Sequence, residues 1–248
     1  MPRVLLIEDD ASIQRFVEFA LEEMPLDLLI AGSVQEALGL LAQGPVDLIL
    51  TDLMLPGESG IDLLEHLRQH PEVAGAARAV VFSAGLTVPI QAQLQALGVW
   101  RMLSKPISVM DLIACVEEAV GLTSATEDDT NAGKAPSETL SPAEVAAVQA
   151  HFNGDTAFFL LYRGTCVTQF AKDIVTGDQA AATLDLMGLR RLGHSLKTVL
   201  QTLGEAAASQ QGKALELAAE QADGHTSLLY WTELKASLQA LMQRLQPR

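Results

Sequence analysis

Cysteine is nearly absent: Cys115 and Cys166 are too few for a disulfide framework and are not spaced as metal ligands, which fits a reducing compartment. Aromatic residues make up only 4% of the chain, so stacking platforms for bases or sugars are scarce and the core must be aliphatic. Cations are also few, with Lys plus Arg at 16 against 31 for Asp plus Glu. The resulting net charge of −15 opposes nonspecific attraction to nucleic acid or to an anionic membrane, and no nucleic-acid partner is expected. No run approaches the ~18 consecutive apolar residues that span a bilayer, and the run Val4–Ile7 is too short for a signal peptide. A cytoplasmic protein without membrane insertion is expected, and the start at Met1 reads as a stand-alone protein. What remains is a 248-residue chain, 49% hydrophobic, with room for one large domain or two small ones.

Residues 122–140 (LTSATEDDTNAGKAPSETL) combine Ser, Thr, Asn, Gly, Pro and acids almost without periodic apolar positions, the composition of a flexible linker. Charge divides with it. Residues 1–121 carry six basic and 17 acidic groups, net −11, whereas residues 141–248 carry nine and ten, net −1.

The first half alternates short apolar runs with helix-period segments, which predicts an α/β, doubly wound parallel sheet of five strands. Strands are expected at 3–7, 27–31, 46–51, 79–83 and 99–103, and helices at 11–24, 34–43, 61–69, 89–97 and 109–120. The second half shows no strand alternation and predicts an all-α helical bundle, with helices at 142–152, 156–175, 179–203, 205–222 and 227–245. Asn153-Gly154-Asp155, Gly177-Asp178 and Asp223-Gly224 are its expected turns. No basic recognition helix is evident.

Ligands of an open parallel sheet bind beyond the carboxyl ends of its strands. Here those ends are Glu8-Asp9-Asp10, Asp52, Ser83-Ala84 and Ser104-Lys105-Pro106. Carboxylates without histidine favour a hard cation, and Mg²⁺ uses one or two carboxylates while keeping several waters. Such an ion between Asp9 and Asp52 would let Asp52 attack phosphorus as a covalent nucleophile, with Lys105 and Ser83 stabilising charge on the phosphoryl oxygens.

These residues, with the run Asp52-Leu-Met-Leu-Pro56-Gly-Glu-Ser-Gly60 and Gly98 seven positions before Lys105, resemble the receiver domain of two-component response regulators. The resemblance implies a flavodoxin-like fold over 1–121, with Asp52 as phosphoacceptor and Mg²⁺ held by Glu8, Asp9, Asp52 and the backbone carbonyl of Met54. It also implies phosphoryl contacts from Ser83 and Lys105, and a cis bond before Pro106. Receivers usually carry an aromatic residue three positions before the lysine, where this chain has Met102. Trp100 is expected to face the other side of the strand.

In the second half, Leu189, Leu192, Leu196, Val199, Leu200 and Leu203 form an unbroken core stripe. His194 lies about 160° from Leu192 and Leu196, on a face shared with Arg190, Arg191, Lys197, Thr198 and Gln201, and an exposed imidazole among three cations is expected. Neighbouring cations favour the neutral, nucleophilic ring and can pair with a phosphoryl group. The segment from Arg191 to Gly204 resembles the motif of histidine phosphotransfer domains, which implies His194 as phosphoacceptor and Lys197 as its charged neighbour. That family usually has glycine where this chain has Thr198, one turn from the histidine. His66 and His70 stand four apart without a third metal ligand; they, His151 and His225 receive no role.

The two halves together suggest a phosphorelay protein carrying phosphoryl groups on Asp52 and His194, within the chain or to partners: a sensor histidine kinase, other receivers or other phosphotransfer domains. The linker spans about 24 Å as a flexible coil, enough for docking within the chain. No nucleotide-binding loop or kinase signature occurs, so the phosphoryl source is external. A second reading is a phosphorylation-controlled interaction switch whose helical half docks or dimerises with an inactive His194. A third, a DNA-binding regulator, is opposed by the charge.

Overall fold

The computed structural model describes residues 1–122 and 140–245, so the predicted linker lies outside the described residues apart from its two ends. The chain divides into two compact units, 1–131 and 132–248.

The first unit is built on five short strands, β1 (Arg3–Ile7), β2 (Asp27–Ala31), β3 (Leu48–Thr51), β4 (Arg78–Ser83) and β5 (Arg101–Ser104). They pair in the order β2-β1-β3-β4-β5, and every pairing is parallel. Strands buried on both faces read as continuous apolar runs, and Val4–Ile7 and Leu48–Leu50 do so at near-zero exposure. The helices are α1 (Ala11–Leu21), α2 (Val34–Leu41), α3 (Gly60–Gln69), α4 (Pro71–Ala74), α5 (Val88–Ala96) and α6 (Val109–Val120). The short α4 was not expected; Pro71 starts it and left-handed Gly75 ends it.

Capping places these helices directly after the strands. Asp10 accepts from the N–H groups of Ser12 (2.8 Å) and Ile13 (3.1 Å), and Ser59 with Asp62 forms a capping box on α3. Leu5, Ile7, Ile49, Val34, Ala37, Leu63 and Leu67 fill one side of the sheet. Further along the same side, between α3 and α5, Leu53, Leu64, Val81 and Leu94 pack with Met102 and Ile90. Met102 is thus committed to the packing under α5. Trp100 precedes β5, its indole lying between the guanidinium groups of Arg78 (4.9 Å) and Arg101 (4.4 Å).

The second unit is helical among the described residues: α7 (Pro142–His151), α8 (Thr156–Thr183), α9 (Leu186–Thr202), α10 (Ala206–Glu220) and α11 (Gly224–Leu245). Each of α8 to α11 packs on the next, and α11 returns to α8. Asn153, at φ 51°, and Gly154 turn the chain into α8, which Asp155 caps at the Phe158 N–H (2.9 Å). Phe152 packs edge-on against Phe158 and Phe159.

One expected turn is not there, because α8 runs through Gly177-Asp178 to Thr183. A Cβ on Gly177 would lie 2.2 Å from the Trp231 ring, so the glycine makes room for an indole rather than for a bend. Asp178 accepts from Trp231 Nε1 (3.0 Å) and from Lys235 (2.6 Å), fastening α8 to α11. The actual break is Leu184, in the left-handed region at φ 53°, followed by Asp185, which caps α9 at the Gly188 N–H (2.9 Å).

Candidate functional site

The parallel order brings β1, β3, β4 and β5 side by side, and their carboxyl ends place four of the expected residues in one pocket. Glu8, Asp52, Ser83 and Lys105 are buried, and the ammonium of Lys105 is wholly enclosed. Lys105 Nζ donates to Asp52 Oδ2 at 2.7 Å and to Glu8 Oε2, while Asp52 Oδ1 accepts the Leu53 N–H at 2.5 Å. Glu8 also accepts the Asp10 N–H (3.1 Å), and Ser83 Oγ accepts from the Gly85 N–H (3.4 Å). Asp9 stands half-buried at the rim and Met54 lies two residues beyond Asp52 in the loop to α3. The bond from Lys105 to Pro106 is cis, as the resemblance implied.

The electrostatics are those of a pocket with too many carboxylates. Burial pushes Glu8 up to about 8 despite the opposing pull of Lys105, and Asp52 and Asp10 add to the rise. Burial, then Asp10 and Asp52, raises Asp9 to about 6. Burial alone would lower Lys105, but Asp52 and Glu8 carry it well above the ordinary lysine range. The ion pair favours ionised Glu8 and burial favours the neutral acid; burial, with the charges of Asp52 and Asp10 added, outweighs the one ammonium.

A divalent cation of hard character fits this oxygen donor set and supplies the missing positive charge. Among the described residues no group of three or more His, Cys, Asp or Glu side chains is placed to hold a metal ion. Lys105 occupies the space between Glu8 and Asp52, and a cation held by one or two carboxylates and water needs no closed shell.

His194 is where the structure departs from expectation. It is only 3% exposed, not open to solvent, because α10 packs on that face of α9. Two glycines bring the helices together: a Cβ on Gly193 would lie 2.8 Å from the Gly212 carbonyl, and one on Gly212 would lie 3.0 Å from the Lys197 nitrogen. Ser209 Oγ donates to the Lys197 carbonyl at 2.8 Å, and Thr198, next along α9, is buried. Glu216 of α10 faces both functional side chains, its Oε1 lying 2.7 Å from His194 Nδ1 and its Oε2 accepting from Lys197 Nζ at 2.6 Å. Burial raises the Glu216 carboxyl, but the bonds and charges of His194 and Lys197 bring it down to about 2. The ionised carboxylate can only accept from Nδ1–H, so the tautomer of the ring that carries a lone pair carries it on Nε2.

Glu216 was not found from the sequence. It lies 22 residues from His194 on an ordinary-looking helix, and only the glycine seam brings the two together. The structure places His66 of α3 and His70, the residue that ends it, beside each other, ring centroids 4.7 Å apart.

A family model described as the response regulator receiver domain matches residues 4–117. The response regulator protein PilR of Pseudomonas aeruginosa is 37% identical over 48% of this chain and 26% of its own length. The phosphate regulon transcriptional regulatory protein PhoB of Escherichia coli is 29% identical over 57% of this chain and 68% of its own. The chain thus spans about a quarter of PilR. The receiver domain of Francisella response regulator 1452 is similar at 30% identity, covering 50% of this chain and 100% of that one with a TM-score of 0.45. With the five-stranded parallel sheet and its pocket, residues 4–117 are a response regulator receiver domain.

Proposed function

We propose that the chain is a phosphorelay protein that accepts a phosphoryl group on Asp52 and carries one on His194, with residues 1–121 as the receiver, 122–140 as a linker and 141–248 as a histidine phosphotransfer bundle. The Lys105–Asp52 contact at 2.7 Å inside a buried carboxylate pocket carries the first half of this reading. Glu8, Asp9, Asp52 and the Met54 carbonyl would hold Mg²⁺, which screens the repulsion between an incoming phosphoryl group and the carboxylate. An Asp52 oxygen attacks phosphorus, an O–P bond forms, and the bond to the donor breaks with its electron pair leaving on the donor. Lys105 shifts from Asp52 to a phosphoryl oxygen, and the Ser83 hydroxyl donates to another. The donor class is a phosphohistidine, as in a sensor histidine kinase, or another phosphotransfer domain.

In the helical unit, α8 to α11 form the bundle and Glu216 fixes the tautomer in which His194 Nε2 is the nucleophile. Lys197 is the cation beside it. Thr198 is 5% exposed, with its hydroxyl turned back to the His194 carbonyl, so its side chain offers little surface to a docking receiver. The burial of His194 favours a second reading, in which the bundle is a docking or dimerisation module and the histidine is inactive.

Incubation with Mg²⁺ and acetyl phosphate, then with phosphorylated partner receivers, separates the readings. Acid-stable, base-labile label is expected on wild type and absent from Asp52→Ala. Acid-labile label is expected on wild type and absent from His194→Gln. Label confined to Asp52 under all conditions selects the docking module.

The raised pKa values of Glu8 and Asp9 set the pH range of metal binding. Carboxyls at about 8 and about 6 are ionised above those values and protonated below them, and a metal binds only the ionised form. Mg²⁺ affinity is expected to fall about tenfold per pH unit below pH ~8, as Glu8 protonates, and more steeply below pH ~6, where Asp9 protonates too. A calorimetric titration series from pH 8.5 to 5 measures it; an affinity flat across that range would remove both carboxylates from the ligand set, and a slope that does not steepen below pH ~6 would remove Asp9.

A further inference from the structure

Lys105 has a third neighbour, which neither the pocket carboxylates nor the family resemblance accounts for. Its Nζ stands 4.9 Å from the centroid of the Phe82 ring. Phe82 is 2% exposed and sits on β4 immediately before Ser83. The ladder holds both partners in register, since Phe82 pairs with Leu103 and the Lys105 N–H donates to the Ser83 carbonyl at 3.1 Å.

An aliphatic side chain would fill that core position equally well, but only an aromatic face attracts a cation. The attraction is weak in water and grows when the ammonium is desolvated, and this ammonium is fully enclosed. Both anionic partners of Lys105 are also the groups a divalent cation recruits. When Glu8 and Asp52 turn to such an ion, Lys105 loses its carboxylate contacts while its ammonium remains enclosed. The ring face is a partner that no metal ion competes for.

We propose that Phe82 is a positioning residue for Lys105, its ring holding the ammonium beside Asp52 while the carboxylates are drawn to a bound divalent cation, until a phosphoryl oxygen replaces them. The inference rests on the reading of Asp52 as phosphoacceptor. Its consequence is tighter divalent-cation binding, because displacing Lys105 from Glu8 and Asp52 costs less when the ammonium keeps a partner.

The test uses the full chain with Phe82→Leu and with mono-, di- and trifluorinated phenylalanine at position 82, which drain the ring face step by step while keeping its shape. Mg²⁺ affinity is measured by calorimetry, and the Cε protons of Lys105 are followed by NMR. Phe82→Leu is expected to weaken Mg²⁺ roughly three- to tenfold, and the fluorinated series to weaken it in order of fluorine count. The Lys105 Cε protons are expected upfield in wild type and shifted back in Phe82→Leu. A Leu variant that weakens Mg²⁺ beside a flat fluorinated series would make Phe82 a packing residue only, overturning the proposal while acetyl phosphate still labels Asp52. A wild-type protein that takes no label on Asp52 would overturn the reading of the pocket itself and the role of Phe82 with it.

Discussion

Gly60→Ala is expected to destabilise the receiver unit by about 3 kcal/mol or more and to slow labelling of Asp52 by acetyl phosphate about 100-fold. A Cβ at position 60 would lie 2.0 Å from the Asp52 carbonyl oxygen, 2.9 Å from its carbonyl carbon and 3.0 Å from Leu53 Cα. These are backbone atoms, so no rotamer relieves the clash. Either the start of α3 moves away, breaking the Gly60 N–H bond to the Leu53 carbonyl (3.0 Å), or the loop carrying Asp52 moves instead. A shift near 1 Å removes Asp52 from its 2.7 Å contact with Lys105, and transfer chemistry depends on placement at that scale. Gly57 is the control. It adopts φ +80° with nothing within 4 Å of a Cβ, so Gly57→Ala should cost only about 1 kcal/mol and leave the labelling rate near wild type. Urea unfolding followed by Trp100 fluorescence, with labelling rates for both variants, measures the difference. Equal behaviour of the two would mean that the Gly60 contact does not hold Asp52 in place.

The acidic pocket was legible because each of its members follows a short apolar run directly. In a parallel sheet the ends of such runs meet, so Glu8, Asp52, Ser83 and Lys105 could be grouped before any coordinates. The strand boundaries moved by up to two residues, as at β3 and β5, where the ladder starts later than the apolar run. The environment of His194 was not legible. A helical wheel finds contacts made by apolar side chains, and it found the stripe from Leu189 to Leu203. The opposite face of α9 is covered through Gly193, Gly212 and Ser209, residues that add nothing to an apolar stripe because they work by being small. Gly177 misled for the same reason. Glycine punctuates turns, but a glycine under an indole is a space-making residue, and only the identity of its neighbour distinguishes the two uses.

Glu216 concentrates the energetics of that covered face, and Glu216→Gln should show it in stability and in chemistry together. Its folded pKa of about 2 lies below the ordinary value of 4.5. A depressed carboxylate contributes stability that is fully present above the unfolded pKa and is lost as pH falls through the folded one. At pH 7 the contribution is about 3 kcal/mol, and it should vanish between roughly pH 4.5 and 2. Wild type and Glu216→Gln should therefore differ by that amount at pH 7 and converge near pH 2. Trp231, buried in the helical unit, reports its unfolding in a Trp100→Phe background. Glutamine keeps the shape of the side chain but can turn its amide N–H₂ toward His194 Nδ1. That pairing puts the ring proton on Nε2, the nitrogen that must attack phosphorus, and removes the anion from Lys197. Phosphoryl uptake at His194 from a phosphorylated receiver is expected to fall by more than about tenfold, with labelling of Asp52 unchanged. A variant that loses stability yet labels His194 at the wild-type rate would reduce Glu216 to a structural clamp between α9 and α10. A variant that loses labelling in step with the tautomer, read from the ¹⁵N shifts of the His194 ring, would make the carboxylate the group that orients the nucleophile.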